Sequence, residues 1–241
     1  MSAHLHIGVA TSLARCVRAF PADGRGPAQG YRFERALFDA VMEVAPWRHA
    51  AGPDQFGMGL PTVSKSGVQY EFDGAFATDD TMYLVEAKHL TGGAVTREHI
   101  GVSVQRLLDT LMGSFNEIGY QAIYPVLVSA TPRVDDAALR HAIAWGVLLI
   151  APNRMTPFEM LSEIERLAFQ SRASHELAER ATELCAYLWR PFTALLQPAT
   201  GEVNVFRFDA NHIYGAEKTN QIIELWSECL GTARSIGLPN A

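Results

Sequence analysis

From Tyr31 onward apolar residues fall at helical spacing, at Phe33, Leu37, Ala40, Val41 and Val44, and Pro46 closes the run. Upstream, Ser12 reads as the cap of a short helix carrying Leu13, Cys16, Val17 and Phe20, followed by a loop rich in Pro and Gly between Pro21 and Gly30. Gly52 to Gly67 is irregular or hairpin-like. The pattern then changes. Val68 to Asp73 and Thr81 to Lys88 are rich in Val, Tyr, Phe and Leu and read as strands, joined by a polar Thr78-Asp79-Asp80 turn. A long amphipathic helix follows, with Ile100, Val104, Leu107, Leu108, Leu111 and Phe115 on its apolar face. Two continuous apolar runs, Gln121 to Ser129 and Val147 to Ile150, flank a helix over Asp135 to Trp145. They predict a strand–helix–strand unit covered on both faces.

Beyond Pro152 the chain turns mainly helical, over Thr156 to Gln170, His175 to Trp189 and Glu217 to Leu230, with a strand expected over Gly201 to Asp209. This divides the chain into an N-terminal segment and loop (1–30), an α/β core (31–156) and a mainly helical C-terminal extension (157–241). Leu177, Ala181, Leu184 and Leu188, then Ile222, Leu225, Trp226 and Cys229, form helical stripes that must be buried on the core or against a second copy.

Composition narrows the class. Apolar residues make up 48% of 241, so the chain can build a packed core. The net charge of −6 argues against a generic basic nucleic-acid coat, though not against a local basic cleft. The three cysteines, Cys16, Cys185 and Cys229, are widely spaced and form neither a disulfide framework nor a zinc knuckle. The first residues lack the basic region and apolar core of a secretory signal, and no apolar run spans a bilayer. A cytoplasmic protein without membrane contact is expected.

The chemistry concentrates at strand ends. Asp73 closes one apolar run and Glu86-Ala87-Lys88 closes the next, thirteen positions later. Alternation puts Glu86 and Lys88 on one face, with Val85 and Ala87 on the other. Taken alone, such a pair is an exposed strand end with a weak salt bridge. Two carboxylates and an ammonium gathered at one sheet end instead make a hard-cation site beside a charge-stabilising group, the needs of metal-assisted phosphodiester hydrolysis. Glu34 borders the apolar face of the first core helix. It points toward that site, or else it is an exposed glutamate favoured by the helix dipole. His4 and His6 read as part of a mobile terminus, His89 points to the opposite strand face, and Gly57-x-Gly59 lacks the context of a dinucleotide loop. Ser103 and Ser129 have no triad partners. Arg97, Arg106, Arg133, Arg140 and Arg154 are scattered, some able to line a phosphate cleft and most simply solvated, and Trp145, Trp189 and Trp226 read as core or interface anchors.

The order of a helix with Glu34, a strand ending in Asp73, a strand ending in Glu86-Ala87-Lys88, then helix, strand, helix, strand resembles the PD-(D/E)XK nuclease superfamily. The resemblance covers about Tyr31 to Pro152. It implies a restriction-endonuclease-like αβββαβ core, a mixed central sheet flanked by helices, and Mg²⁺-dependent cleavage of DNA, with Mn²⁺ able to substitute. On the same basis Asp73, Glu86, the Ala87 carbonyl and Glu34 would ligate the metal, Lys88 would orient the attacking water, and Gln105 would match the glutamine that some members carry on the following helix. The sequence departs from the family at two points. Phe72, not proline, precedes Asp73, and the true Pro53-Asp54 pair sits upstream in a Gly-rich loop. Gln105 is followed four residues later by Asp109, not by the tyrosine of the RecB-like branch. Restriction, defence, repair and mobile-element processing are the settings the resemblance implies, with a homodimer or a protein partner engaged through the C-terminal helices. The competing reading is a non-catalytic nucleic-acid- or protein-binding subunit on the same fold.

Overall fold

The computed structural model describes residues 2–21, 26–53, 60–63, 66–90, 92–111, 122–167, 171–193 and 213–241. Helices α1 (Ser2–Ala19) and α2 (Pro27–Met42) precede strands β1 (His49–Ala51), β2 (Leu60–Val63), β3 (Gln69–Phe72), β4 (Gly74–Ala77) and β5 (Thr81–Lys88). Then come α3 (Arg97–Leu111), β6 (Ala122–Ser129), α4 (Asp136–Trp145), β7 (Leu148–Ile150), α5 (Pro157–Arg166), α6 (Arg172–Leu188), β8 (Phe192–Thr193) and α7 (Ala216–Ser235). The fold is a mixed sheet flanked by helices with a helical C-terminal region. Among the described residues no helix is long and apolar enough to cross a membrane.

The main sheet has the order β1-β4-β5-β6-β7, with β8 also pairing β6. β4 and β5 are antiparallel, whereas β5, β6 and β7 run parallel, as the strand–helix–strand pattern requires. The helix between β6 and β7 stops at Gly146, whose φ of 72° gives the left-handed turn that closes α4. β2 and β3 form a separate two-stranded sheet.

Alternation along β5 sorts its side chains into two cores. Tyr83, Val85 and Ala87 face α1 and α2 and pack with Phe33, Leu37, Val41, Val9 and Leu13. Met82 and Leu84 face the other way, with Leu107 of α3. On that second face, Ile100 and Val104 join Leu127, Leu149, Leu139 and Ile143, and the same cluster continues into α6 and α7 through Leu177, Leu184 and Trp226. Fully burying each such side chain stabilises the fold by about 1.5–3 kcal/mol.

Three expectations need correction. The strand partner of β5 is not the run ending at Asp73 but β4, directly after it. The chain leaves β3 at Phe72, bends at Asp73 and re-enters extended structure as β4 in the other sheet. Gly74 permits this close turn, since a Cβ there would lie 3.1 Å from the Phe76 ring. The first helix is also longer than expected. α1 begins at Ser2, and Ser12 lies inside it, donating to the Ala40 carbonyl of α2 at 2.5 Å rather than capping anything. His6 is accordingly part of a helix. It shares a 2.8 Å hydrogen bond with the Tyr83 hydroxyl, and burial among aromatic rings lowers its pKa to about 4. The strand expected over Gly201 to Asp209, together with Asp54, Gly57, Gly59 and Phe115, lies outside the described residues.

Candidate active site

The charged residues meet at the C-terminal end of β5. The β4–β5 register pairs Gly74 with Val85, so the next step outward sets Asp73 opposite Glu86. Asp73 Oδ2 accepts the Ala87 N–H at 2.6 Å, which latches the corner of the chain to the neighbouring strand. Glu86 projects to the α3 side of the sheet, two residues beyond Leu84. Its carboxylate is buried, and Lys88 Nζ donates to Oε2 at 3.1 Å. On the other oxygen, Oε1, Arg106 Nη1 from α3 stands at 3.5 Å, an ion-pair distance rather than a hydrogen bond, and Oε1 has no hydrogen-bond partner.

Glu34 reaches the same place from α2. A cavity of about 440 Å³ is lined by Glu34, Gln69, Tyr70, Glu71, Asp73, Glu86, Ala87, Lys88 and Arg106. Four carboxylates against two cations make it net negative. Burial, then the proximity of Glu86, raises the Asp73 pKa to about 6, against the opposing pull of the Ala87 N–H, Lys88 and Arg106. Burial, then Asp73, raises Glu34 to about 7, with Lys88 opposing and Glu86 and Glu71 adding to the rise.

Gln105 does not join them. It is exposed and lines a different cavity with Gly101, Val104, Leu108, Asp109, His141 and Trp145. Its neighbour Arg106 enters the site instead. Successive helix residues point about 100° apart, so the two flank the apolar stripe of Ile100, Val104 and Leu107 on opposite sides. Thr110, one turn beyond Arg106 and on its side of the stripe, is fully buried, so that flank of α3 is covered and not solvated. Asp109 serves a structural purpose, accepting from Tyr70 Oη at 3.1 Å and Ser66 Oγ at 2.5 Å and so tying the β2–β3 hairpin to α3.

The donor set fits a hard divalent cation. It is made of carboxylate oxygens, one of them buried and without a hydrogen bond, in a net negative cavity. Among the described residues no three His, Cys, Asp or Glu side chains are grouped closely enough to hold an ion by themselves.

No known protein family's sequence pattern matches the chain. No curated protein matches it either. Two solved structures are similar over most of their length. One is the small subunit of the heterodimeric restriction endonuclease R.BspD6I, with a TM-score of 0.41, 8% identity, and coverage of 91% of this chain and 97% of the other. The second is a protein of unknown function, AF1548, with a TM-score of 0.39, 13% identity, and coverage of 84% and 97%. Likeness of this degree carries no functional argument. The chemistry must be read from the cavity.

Proposed function

We propose that this chain is a Mg²⁺-dependent nuclease that hydrolyses DNA phosphodiester bonds on a restriction-endonuclease-like core. The observation that carries the reading is the buried Glu86 carboxylate, with one oxygen on Lys88 and the other lacking a hydrogen bond, set opposite Asp73 across the β4–β5 ladder. Burying such charges is costly and serves no packing need, so a ligand is the economical explanation. Asp73, Glu86 and the Ala87 carbonyl would hold the cation, with Glu34 as an outer carboxylate. When bound, the cation lowers the pKa of a coordinated water and offsets charge on the phosphate. Lys88, steadied by Glu86, orients the attacking water and neutralises charge developing on the phosphate oxygens. The acidic cavity repels phosphate on its own, so binding of the strand depends on the cation.

The test is cleavage of duplex DNA in Mg²⁺ by Asp73→Ala and Glu86→Ala. Both variants should lose cleavage while keeping their fold, and Asp73→Asn, which keeps an acceptor for the Ala87 N–H, should melt no lower than the parent because a crowded charge is removed. Lys88→Ala should still bind Mn²⁺ by calorimetry while its single-turnover rate falls by about 10²–10⁴-fold. If both carboxylate variants cut like the parent, the site is misassigned.

One observation favours a second reading, a non-catalytic DNA-binding subunit: Glu86 already faces two cations of its own chain. Under that reading the parent binds duplex but does not cut it in Mg²⁺ or Mn²⁺, and Asp73→Ala leaves binding unchanged.

A further inference from the structure

Glu86 holds its two cations unequally. Lys88 comes from the same strand, two residues on, and donates a 3.1 Å hydrogen bond to Oε2. Arg106 comes from α3 and approaches Oε1 only to 3.5 Å. Its side chain is 36% exposed, against 5% for Glu86, and its guanidinium lies 5.9 Å from the Tyr70 ring at the cavity wall. Arg106 therefore neutralises the one oxygen that a cation would use, and it does so loosely, on a long side chain with room to move. A guanidinium and a divalent cation cannot both stand against that oxygen, because like charges at such separation repel strongly in a partly buried site. Once displaced, the planar fork matches the paired oxygens of a phosphate.

We propose that Arg106 is a displaceable counter-ion. It screens Glu86 while no divalent cation is bound, gives way when one arrives, and then takes hold of a phosphate of the incoming strand. The site thus exchanges an internal cation for an external one, and the released arginine offsets the acidity that would otherwise turn the strand away. The phosphate half of this inference rests on the nuclease reading above; the exchange at Glu86 does not.

Arg106→Gln removes the charge at a half-exposed position, and thermal melting checks that it folds. Two measurements avoid catalysis. Calorimetry with Mn²⁺ alone should show the variant binding on the order of tenfold tighter than the parent, the reciprocal of the competition. Binding of a short duplex in Ca²⁺, titrated against salt, should weaken in the variant with a salt slope lower by about one phosphate contact, while Arg106→Lys keeps the slope. Unchanged or weaker Mn²⁺ affinity overturns the exchange, and an unchanged salt slope overturns the phosphate contact. Cleavage by the parent is scored separately. A parent that never cuts, with both shifts present, retires the nuclease and keeps the counter-ion. A parent that cuts, with neither shift in the variant, does the reverse.

Discussion

Asp73 and Glu34 keep their protons in a pH range where free carboxylates have lost theirs. Their ordinary values, 3.8 and 4.5, rise to about 6 and about 7 in the folded chain, through burial first and neighbouring carboxylates second. Between those limits the folded state binds more protons than the unfolded one. The stabilisation is therefore complete below about pH 4 and is lost as pH rises through 6 to 7. In chelator, the parent should lose melting temperature from pH 4 to 8 more steeply than the Glu34→Gln/Asp73→Asn double variant, read by scanning calorimetry; parallel curves would mean the two groups are not held protonated. Much of this site was legible from the residues alone. Alternation fixed the shared face of Glu86 and Lys88, and the polar turn brought Asp73 near them. Arg106 was legible only as one of five arginines that could line a phosphate cleft, because an arginine beside an apolar stripe looks like any solvated arginine until the end of the strand it faces is known.

At the level of elements, the link between α1 and α5 is the one the sequence concealed. α5 starts with a capping box in which Thr156 and Glu159 satisfy each other's backbone N–H groups. Glu159 is also buried, and its second oxygen pairs with Arg18 near the end of α1. The carboxylate thus serves a helix cap and an inter-helix ion pair together. Arg18→Met leaves Glu159 buried without its cation and should cost about 3–5 kcal/mol in urea unfolding. Arg35→Ala, which breaks the exposed Arg35–Asp39 pair within α2, should stay within about 0.5 kcal/mol. A loss for Arg18→Met no larger than for Arg35→Ala would show that α1 is held by its apolar face alone. The length of α1 was hidden because residues 2–11 carry weak periodicity, and packing rather than propensity makes them helical. The break between β3 and β4 was hidden for a related reason: Phe72, Asp73 and Gly74 read as one strand end, and only the existence of a second sheet shows that the chain turns there.

For the molecule as a whole, the C-terminal stripes that called for cover have found it within the chain. Leu177, Ala181, Leu184, Leu188, Ile222, Trp226 and Cys229 are buried in the cluster that also holds Ile100, Leu127 and Leu139. Trp226 Nε1 donates to the Met155 carbonyl at 3.0 Å, and Arg180 of α6 pairs with Glu228 of α7. These faces are no longer available to a second copy. Light scattering at micromolar concentration should therefore return the 26.5 kDa of one chain. A doubled mass would require a contact surface other than these stripes. The helical character of this region was plain in its sequence, but its partner was not, because a periodic apolar face states that it must be covered without stating by what.

The placement of the two facing carboxylates has a mechanical consequence. Glu86 sits on a strand fastened on both sides, by β4 and by β6. Asp73 sits at the corner where the chain passes from the small hairpin into the main sheet. The pair behaves like a caliper whose two jaws ride on one beam, since Asp73 is tied to the Ala87 N–H of the strand that carries Glu86. A tilt of the β2–β3 hairpin, whose turn α3 grips through Asp109, would reach Asp73 only against that tie. The cation proposed above would therefore meet a gap gauged by the main sheet and not by the hairpin.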